Sequence, residues 1–339
     1  MAEMRAIVRQ GASVRLRRMP VPAPAPGEIL VQVMVAGLCR TDVHAAPGPS
    51  ARAEPVVLGH EFAGVVAELG DDVGGFAVGD RVAVTPMLPC LRCGRCAGGA
   101  PERCPHAELL GVRRHGAFSE FVAVPAHVVH RIPDALTFRE GAYAGPVCAS
   151  LAVTQADIKP PDRGLVHGGN RLARLTAHIL RAYGFHALDV HGTEKPADSA
   201  GSLSEIPADT YDFAVESTPG SAVIGELIRV VRPGGRIVLR SRPTGPVEID
   251  LGAAIGKEIT FETVAYSTFR EALSFLVQEH ERIADLLGCV RPLEDFEDLF
   301  SAERENQRFK SFFCPNFADI GPAEIEAWAR LMRPEAPRA

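Results

Sequence analysis

Short hydrophobic runs dominate the chain up to residue 152. Apolar or alternating stretches recur there, and Gly, Pro and Asp residues separate them. These stretches are MRAIVRQ, ILVQVMVAG, EFAGVVAEL, RVAVTPM and FSEFVAVPA. Many short strands with frequent turns are typical of a partly open barrel. The pattern therefore predicts a β-rich first domain.

Beyond residue 152 the pattern changes to buried strands that alternate with helices. RGLVHGG, HALDV, YDFAVEST and GGRIVLRS predict strands, whereas LAVTQADI, LARLTAHILRAYG and IGELIRVVRPGG predict helices. The second of these helices places four apolar side chains near one face and ends at a C-capping Gly184. The four are Leu172, Leu175, Ile179 and Leu180. Such alternation indicates a parallel α/β sheet.

The spacing of the predicted strands indicates that this parallel sheet is abbreviated. Only residues 192–210 lie between His191, which ends one predicted strand, and Tyr211, which begins the next. A single parallel crossover already needs about a dozen residues or more. We therefore expect an outer element of the sheet to be missing or shortened.

Composition and charge narrow the class of protein. The 339 residues include 46% hydrophobic residues and carry a formal net charge of -6. This charge gives no basic footprint for a nucleic acid, and no apolar run approaches the ~20 residues that a membrane span needs. The amino terminus, MAEMRAIVRQ, lacks the apolar segment of a signal peptide. We expect a cytoplasmic protein that binds neither nucleic acid nor membrane.

Four cysteines form the densest motif of the chain. Cys90, Cys93, Cys96 and Cys104 lie in the segment CLRCGRCAGGAPERC. Thiolates at this spacing can converge on one tetrahedral zinc ion, and the set is complete without other ligands. We expect a structural zinc; a disulfide pair and an iron–sulfur cluster are the alternatives.

A second group of possible ligands lies outside this cluster. Cys39 offers a thiolate and His60 an imidazole, a mixture suited to catalytic zinc. Asp42 could accept a hydrogen bond from the other ring nitrogen of His60. Thr41 could pass a proton to or from a substrate hydroxyl group. The segment Gly-Ala-Tyr-Ala-Gly-Pro-Val-Cys, which ends at Cys148, is the third stretch of interest.

Together these segments resemble the zinc-containing medium-chain alcohol and polyol dehydrogenases. The resemblance covers most of the chain. It rests on VPAPAPGEILVQV, Cys-Arg-Thr-Asp-x-His, Gly-His-Glu, VGDRVAV, the cysteine cluster, GAFSEFVAVP and RPGGRIVL. It implies an α/β protein with a GroES-like β-rich catalytic domain over residues 1–152, completed by residues 289–339. Residues 153–288 would form a shortened Rossmann-like cofactor domain.

The resemblance also implies an activity and roles for individual residues. Such enzymes transfer hydride between a small alcohol or carbonyl substrate and NAD or NADP, and are dimers or tetramers joined through their cofactor domains. Cys39 and His60 would bind catalytic zinc, with Glu61 behind the metal. Thr41 and His44 would belong to a proton relay. Arg40 would contact a cofactor phosphate.

The first departure from the family pattern concerns the third zinc ligand. The family has a Cys, Asp or Glu where this chain has Gly145. Cys148 lies about one helical turn further on, and Glu61 could turn inward, so either could complete the site. A water ligand, an absent zinc, or simple helix packing for Cys148 are the alternatives.

The second departure concerns the cofactor-binding turn. The family pattern is G-x-G-x-x-G after a strand, and this chain has Gly168, Gly169, Asn170, Arg171, Leu172 and Ala173. Asn170 therefore puts a side chain where the pyrophosphate should approach, while Arg171 or Arg40 could add positive charge. His191 replaces the acidic residue that usually holds the adenosine ribose, so NADP is at least as plausible as NAD.

These departures leave two other functions open. One is a family member that has lost ordinary cofactor use and acts as a zinc-stabilised binding or scaffold protein. The other is a metal-assisted enzyme that performs no redox step and keeps Cys39, His60 and Glu61. The intact Cys-Arg-Thr-Asp-x-His segment favours the oxidoreductase.

Overall fold

The computed structural model describes residues 2–44, 54–192, 203–218, 220–243, 245–305 and 308–316. The chain divides into two compact units, Met1–Gly145 with Thr268–Ala339, and Pro146–Ser267. The sequence placed the corresponding boundaries after residues 152 and 288. Within the described ranges, no helix is both long and apolar enough to cross a bilayer.

The elements follow one another along the chain as short strands, then alternating strands and helices. The strands are β1 (Glu3–Gln10), β2 (Ser13–Pro20), β3 (Glu28–Gly37), β4 (Val56–Val57), β5 (Glu61–Leu69), β6 (Arg81–Val84), β7 (Met87–Leu88), β8 (Glu108–Leu109), β9 (Phe121–Pro125), β10 (Val129–Arg131), β11 (Gly164–His167), β12 (Leu188–His191), β13 (Tyr211–Glu216), β14 (Val231–Leu239), β15 (Thr260–Thr263), β16 (Leu287–Arg291) and β17 (Lys310–Phe313). The helices are α1 (Arg40–His44), α2 (Gly94–Ala97), α3 (Phe138–Ala142), α4 (Ala144–Leu151), α5 (Arg171–Ala182), α6 (Ser221–Val230), α7 (Leu251–Gly256), α8 (Phe269–Glu279) and α9 (Phe296–Glu305). Short 3-10 helices span Pro101–Arg103, Ala126–Val128, Ala152–Gln155, Leu203–Glu205, His280–Leu286 and Leu293–Asp295.

The first unit is β-rich, as the hydrophobic pattern predicts. A three-stranded sheet has the order β2-β1-β4, and a seven-stranded sheet has the order β10-β6-β5-β3-β17-β16, with β9 also paired to β3. β7 and β8 form a separate two-stranded ribbon. Strand β3 therefore lies between β5 and β17, with Gly37 opposite both Glu61 and Phe312. This arrangement brings the carboxyl-terminal β17 beside strands from the start of the chain.

The second unit contains a five-stranded parallel sheet of order β12-β11-β13-β14-β15. The predicted strands and the parallel α/β architecture are confirmed. Among the described strands, β12 lies at the sheet edge and pairs with β11 alone, as expected for a shortened Rossmann-like domain. IGELIRVVRPGG is only partly helical, because α6 ends at Val230 and the following residues begin β14.

Helix α5 follows β11 and covers the sheet with its apolar face. Leu175, Ile179 and Leu180 are fully buried, as predicted, whereas Leu172 in the first turn is 40% exposed. The prediction that Leu172 shares the buried face was therefore wrong. Gly184 has a φ of +91° just after the helix and confirms the predicted carboxyl-terminal stop.

Candidate functional site

The four clustered cysteines converge within a lobe that begins at the β7–β8 ribbon. Cys93 precedes α2 as its N-cap, and Cys96 lies within this helix. Cys104 directly follows the 3-10 helix Pro101–Arg103. Leu91 adopts a φ of +56°, which turns the chain sharply between Cys90 and Cys93. The sulfur atoms of all four cysteines lie within 4.8 Å of one another.

The sulfur separations have the size of a single metal site. The Sγ atom of Cys93 lies 3.5 Å from that of Cys96 and 3.9 Å from that of Cys104. A disulfide bond would need ~2.05 Å. A tetrahedron with Zn–S bonds of ~2.3 Å has edges of about 3.8 Å. The donor set therefore fits zinc, and none of the eight cysteines of the chain forms a disulfide bond.

The thiols of this lobe differ in acidity. Backbone hydrogen bonds, chiefly from Arg92 and also from Cys93, lower the pKa of Cys90 to about 6. Desolvation and the neighbouring thiols raise the pKa of Cys96 to about 12. Hydrogen bonds between the thiols thus leave one sulfur easily ionised and its neighbour protonated, so the four groups conflict in their preferred charge. A divalent cation would remove this conflict, because it stabilises all four thiolates together.

A second ligand group forms where β3 ends and β5 begins. Cys39 follows β3, His60 directly precedes β5, and Glu61 is the first residue of β5. One ligand atom from each residue lies within 4.8 Å of the others. His60 and Glu61 are buried, whereas Cys39 is partly exposed. The group therefore has a buried side and an accessible side.

Asp42 holds the two ligand-bearing segments together. Its Oδ2 atom accepts a hydrogen bond from the backbone N–H of Cys39 at 3.0 Å, and its Oδ1 atom accepts one from Gly59 at 3.1 Å. The Nδ1 atom of His60 lies 3.3 Å from Oδ1. Burial by itself lowers the pKa of His60, but the negative Asp42 and Cys39 raise it well above its ordinary value. Asp42 thus orients the imidazole so that Nε2 faces Glu61, whose Oε1 atom lies 3.9 Å away.

The side chain of Glu61 runs over Gly145. A Cβ atom added at position 145 would lie only 3.3 Å from Cγ of Glu61. The other carboxylate oxygen of Glu61, Oε2, forms an ion pair with the ammonium group of Lys310. Lys310 lies 249 residues away in sequence and gave no signal as a site residue, since an isolated lysine has no spacing that would mark it.

The remaining predicted residues of this region lie in different settings. The hydroxyl group of Thr41 lies 3.8 Å from Sγ of Cys39, and Arg40 is exposed at the start of α1. His44 ends α1, and its side chain lies outside the described part of the structure. The thiol of Cys148 donates a hydrogen bond to the carbonyl oxygen of Ser267 at 2.9 Å. The metal-ligand group found among the described residues contains Glu61 and does not contain Cys148.

The predicted cofactor turn lies at the carboxyl ends of the parallel strands. Gly168 and Gly169 follow β11, and Asn170 is the N-cap of α5. The side-chain oxygen of Asn170 accepts from the N–H of Ala173, and its Nδ2 atom donates to the carbonyl oxygen of Ser217, both at 3.0 Å. Asn170 therefore ties the turn to the end of β13. Arg171 is buried in the first turn of α5.

His191 ends β12 and stacks against His167 at the end of β11. Their ring centroids lie 5.5 Å apart. Desolvation and the proximity of His191 lower the pKa of His167 to about 4, so that His167 is neutral near pH 7. The sequence singled out His191 but missed His167. The alignment of the two strand ends was the only signal that could have paired them.

Comparison with known proteins places this geometry in context. Residues 25–134 match the alcohol dehydrogenase GroES-like domain. The chain is 27% identical over 336 residues to the L-threonine 3-dehydrogenase of Xanthomonas axonopodis pv. citri, covering 91% of this chain and 98% of that protein. It is 25% identical to the probable D-xylulose reductase A of Neosartorya fischeri, covering 89% of this chain and 93% of that protein.

A solved structure shares the fold across most of the chain. It is a protein of Sinorhizobium meliloti 1021 described as a zinc-binding dehydrogenase and bound to NADP. Its TM-score is 0.84 at 24% identity, and the alignment covers 93% of this chain and 100% of that one. At this level of identity the likeness establishes the common fold.

Proposed function

Because this chain belongs to the zinc-containing medium-chain dehydrogenase/reductase family, we propose that it transfers hydride between a small hydroxylated metabolite and a nicotinamide dinucleotide. The observation that carries the proposal is that Cys39, His60 and Glu61 bring their ligand atoms together, with Asp42 beside the other ring nitrogen of His60. A thiolate, an imidazole and a carboxylate are ligands that catalytic zinc takes in proteins.

The chain fits two zinc ions, one in each ligand group. Cys90, Cys93, Cys96 and Cys104 form a closed set without room for a substrate ligand, so this zinc would be structural. Cys39, His60 and Glu61 supply three ligands and leave a fourth position for substrate or water. Glu61 would take the third place, because Gly145 leaves room for its side chain. Cys148 as the third ligand is the weaker candidate, because its thiol already donates to Ser267.

The chemistry then divides between the bound groups and the residues of the chain. When bound, zinc polarises the substrate oxygen as a Lewis acid, and the nicotinamide accepts or supplies the hydride. Asp42 keeps the ring of His60 in the orientation that directs Nε2 towards the ligand group. Thr41 lies beside Cys39 with an exposed hydroxyl group, and would pass the substrate proton towards solvent. His44, by its place in the family motif, would follow Thr41 in this relay.

The cofactor would bind across the carboxyl ends of the parallel strands, as in other sheets of this topology. The first-turn N–H groups of α5 suit a pyrophosphate, although the Asn170 side chain already takes the N–H of Ala173. The family pattern has an acidic residue at this position, which would repel a 2'-phosphate. This chain has His191 instead, so we expect no strong preference of NAD over NADP. Arg40 and Arg171 would add charge for the phosphates.

The class of substrate, the location in the cell and the oligomeric state are also part of the proposal. Both curated relatives are named for the oxidation or reduction of small hydroxylated compounds, which favours a small alcohol or carbonyl substrate over a binding or scaffold role. We propose a cytoplasmic protein, supported by a cysteine cluster whose geometry suits a metal ion rather than disulfide bonds. A homodimer or homotetramer is proposed from the family resemblance.

Metal analysis and cofactor titration test the proposal separately. Elemental analysis should give two zinc ions per chain in the wild type and one in His60→Ala, which keeps the cysteine lobe. Two metals per chain in His60→Ala would contradict the ligand assignment. Calorimetric titration of the wild type with NADH and NADPH should show binding. Failure to bind either at millimolar concentration would refute hydride transfer and leave the zinc assignments standing.

A further inference from the structure

A fully buried lysine touches the proposed metal site, and the proposed function leaves its role open. Lys310 is 0% exposed, and its ammonium group pairs with Oε2 of Glu61, which is itself 8% exposed. Burying a charged group is expensive unless a partner neutralises it. The Lys310–Glu61 pair is therefore part of the site.

The sheet topology creates this pair. Glu61 on β5 and Phe312 on β17 both lie opposite Gly37 of the intervening β3. Lys310 precedes Phe312 by two residues, so that it projects from the same face of the sheet. Because adjacent strands lie ~4.8 Å apart, the two side chains must reach each other across β3. Gly37 permits this, since a Cβ atom there would lie 2.6 Å from Cε of Lys310.

The two oxygens of Glu61 have different neighbours. Oε2 faces the ammonium group of Lys310, whereas Oε1 lies 3.9 Å from Nε2 of His60, on the side of the ligand group. A metal ion at this group would therefore approach Oε1 while Lys310 keeps Oε2. The carboxylate would be shared between two positive charges.

With His60 bound to the metal as a neutral imidazole, the charges of the site balance when both the zinc ion and Lys310 are counted. Cys39 as thiolate, Asp42 and Glu61 bring three negative charges, which Zn²⁺ and Lys310 together neutralise. Without the metal, Lys310 still pairs with Glu61 and prevents an isolated buried carboxylate. With the metal, Lys310 repels the ion and withdraws charge from its ligand.

We propose that Lys310 is the internal counterion of the Cys39–His60–Glu61 site. It keeps Glu61 paired when the metal is absent, and it weakens the hold of Glu61 on the metal when the metal is present. The inference rests on the proposed metal site. It makes the second zinc more readily exchanged than the zinc of the cysteine lobe, and it makes Lys310 a positioning residue that sets metal affinity.

The test is the zinc affinity of Lys310→Met, a substitution that keeps an unbranched side chain of similar size and removes its charge. Competition with a chelator of known affinity measures the second site while the cysteine lobe stays loaded. We expect the second zinc to bind about tenfold more tightly than in the wild type, because its electrostatic competitor is gone. The melting temperature of the metal-free form should fall further below that of the loaded form than it does in the wild type.

A double variant supplies the matched control. Glu61→Gln combined with Lys310→Met removes both charges, so the metal-free protein should recover its melting temperature while the second zinc binds more weakly. Wild-type or weaker zinc affinity in Lys310→Met alone would overturn the proposal.

A kinetic measurement covers the case in which metal-free Lys310→Met does not fold. Zinc release from the loaded variant into excess chelator should be about tenfold slower than from the wild type, and equal or faster release would also overturn the inference. A wild type that binds zinc only in the cysteine lobe would instead refute the proposed metal site itself.

Discussion

At the scale of single residues, the second metal site depends on what position 145 lacks. Gly145 leaves the space that the stem of Glu61 occupies, and Gly37 leaves the space that the stem of Lys310 occupies. Neither glycine is needed here for an unusual backbone angle. Their common property is the absence of a side chain, which lets a buried carboxylate reach the ligand group.

Gly145→Ala should weaken the second zinc without destabilising the fold. The added Cβ atom would lie only 3.3 Å from Cγ of Glu61 and would push the Glu61 side chain away. Metal–ligand distances tolerate changes of only ~0.2 Å. Zinc affinity at this site, measured by chelator competition, should fall by about tenfold, since a ~1.4 kcal/mol loss corresponds to that factor.

The matched control for this variant is Gly225→Ala in α6, where an added Cβ atom meets nothing within 4 Å. It should raise stability by up to ~1 kcal/mol and leave both zinc sites unchanged. Undiminished zinc affinity in Gly145→Ala would show that Glu61 is not the third ligand.

Cys96→Ser should remove the zinc of the cysteine lobe and destabilise the protein. The lobe has few elements of its own, α2 and the β7–β8 ribbon, so metal binding supplies much of its folding free energy. Elemental analysis should show one zinc ion fewer, and thermal unfolding should show aggregation at a lower temperature. Cys289→Ser, at a cysteine outside the cluster, should keep the wild-type zinc content. An unchanged zinc content in Cys96→Ser would rule out the lobe as a zinc site.

At the scale of elements, helix α5 begins with an N-cap residue, Asn170, that forms hydrogen bonds both within the helix and to the end of β13. Asn170 accepts from Ala173 within the helix and donates to Ser217 at the end of β13. Capping of this kind stabilises a helix by about 1 kcal/mol. The same side chain fills part of the region where a pyrophosphate would meet the helix terminus. Stability of the element and binding of the cofactor therefore oppose each other at this residue.

Asn170→Gly should tighten NAD(P)H binding at a small cost in stability. Glycine opens the turn, and replacing an asparagine N-cap by glycine costs only a few tenths of a kcal/mol. Asn170→Asp provides the contrast, because it keeps an acceptor for Ala173 and adds a negative charge that repels the pyrophosphate. Calorimetric titration should rank affinity as Gly above Asn above Asp. A Gly variant that binds no more tightly than the wild type would show that the cap does not obstruct the cofactor.

At the scale of the whole molecule, each compact unit contains a histidine that resists protonation. His130 in the first unit stacks on Phe269 at 4.8 Å and lies 2.9 Å from the hydroxyl group of Thr85. Desolvation, with the nearby positive Arg270, lowers the pKa of His130 to about 4. His167 in the second unit has a similarly low pKa. Both units should therefore lose stability in mild acid.

The folded protein should lose stability as the pH falls from about 6.5 to about 4. The unfolded chain binds a proton at each histidine near pH 6.5, whereas folded His130 takes one only near pH 4. His130→Gln should reduce the loss by on the order of 2 kcal/mol, which urea unfolding at pH 7 and pH 4.5 would measure. Comparison with the wild type cancels the acid release of zinc, which both proteins share. An equal loss in both proteins would contradict the low pKa.

Local patterns could be read from the sequence alone. The period of apolar residues predicted β-rich and α/β parts of the chain. The spacing of the cysteines predicted that Cys90, Cys93, Cys96 and Cys104 act together. Both signals involve residues that are close in sequence. The motifs around Cys39 and His60 were also readable as one ligand group.

The contacts that complete these patterns depend on how the chain folds in three dimensions. Glu61 rather than Cys148 joins the described ligand group, Lys310 pairs with Glu61 across 249 residues, and Asn170 reaches Ser217 across 47. Such contacts are set by strand order and by the space that glycines leave. Strand order and the space beside a glycine produce no regular spacing of residues along the chain, so these contacts could not be predicted from one sequence.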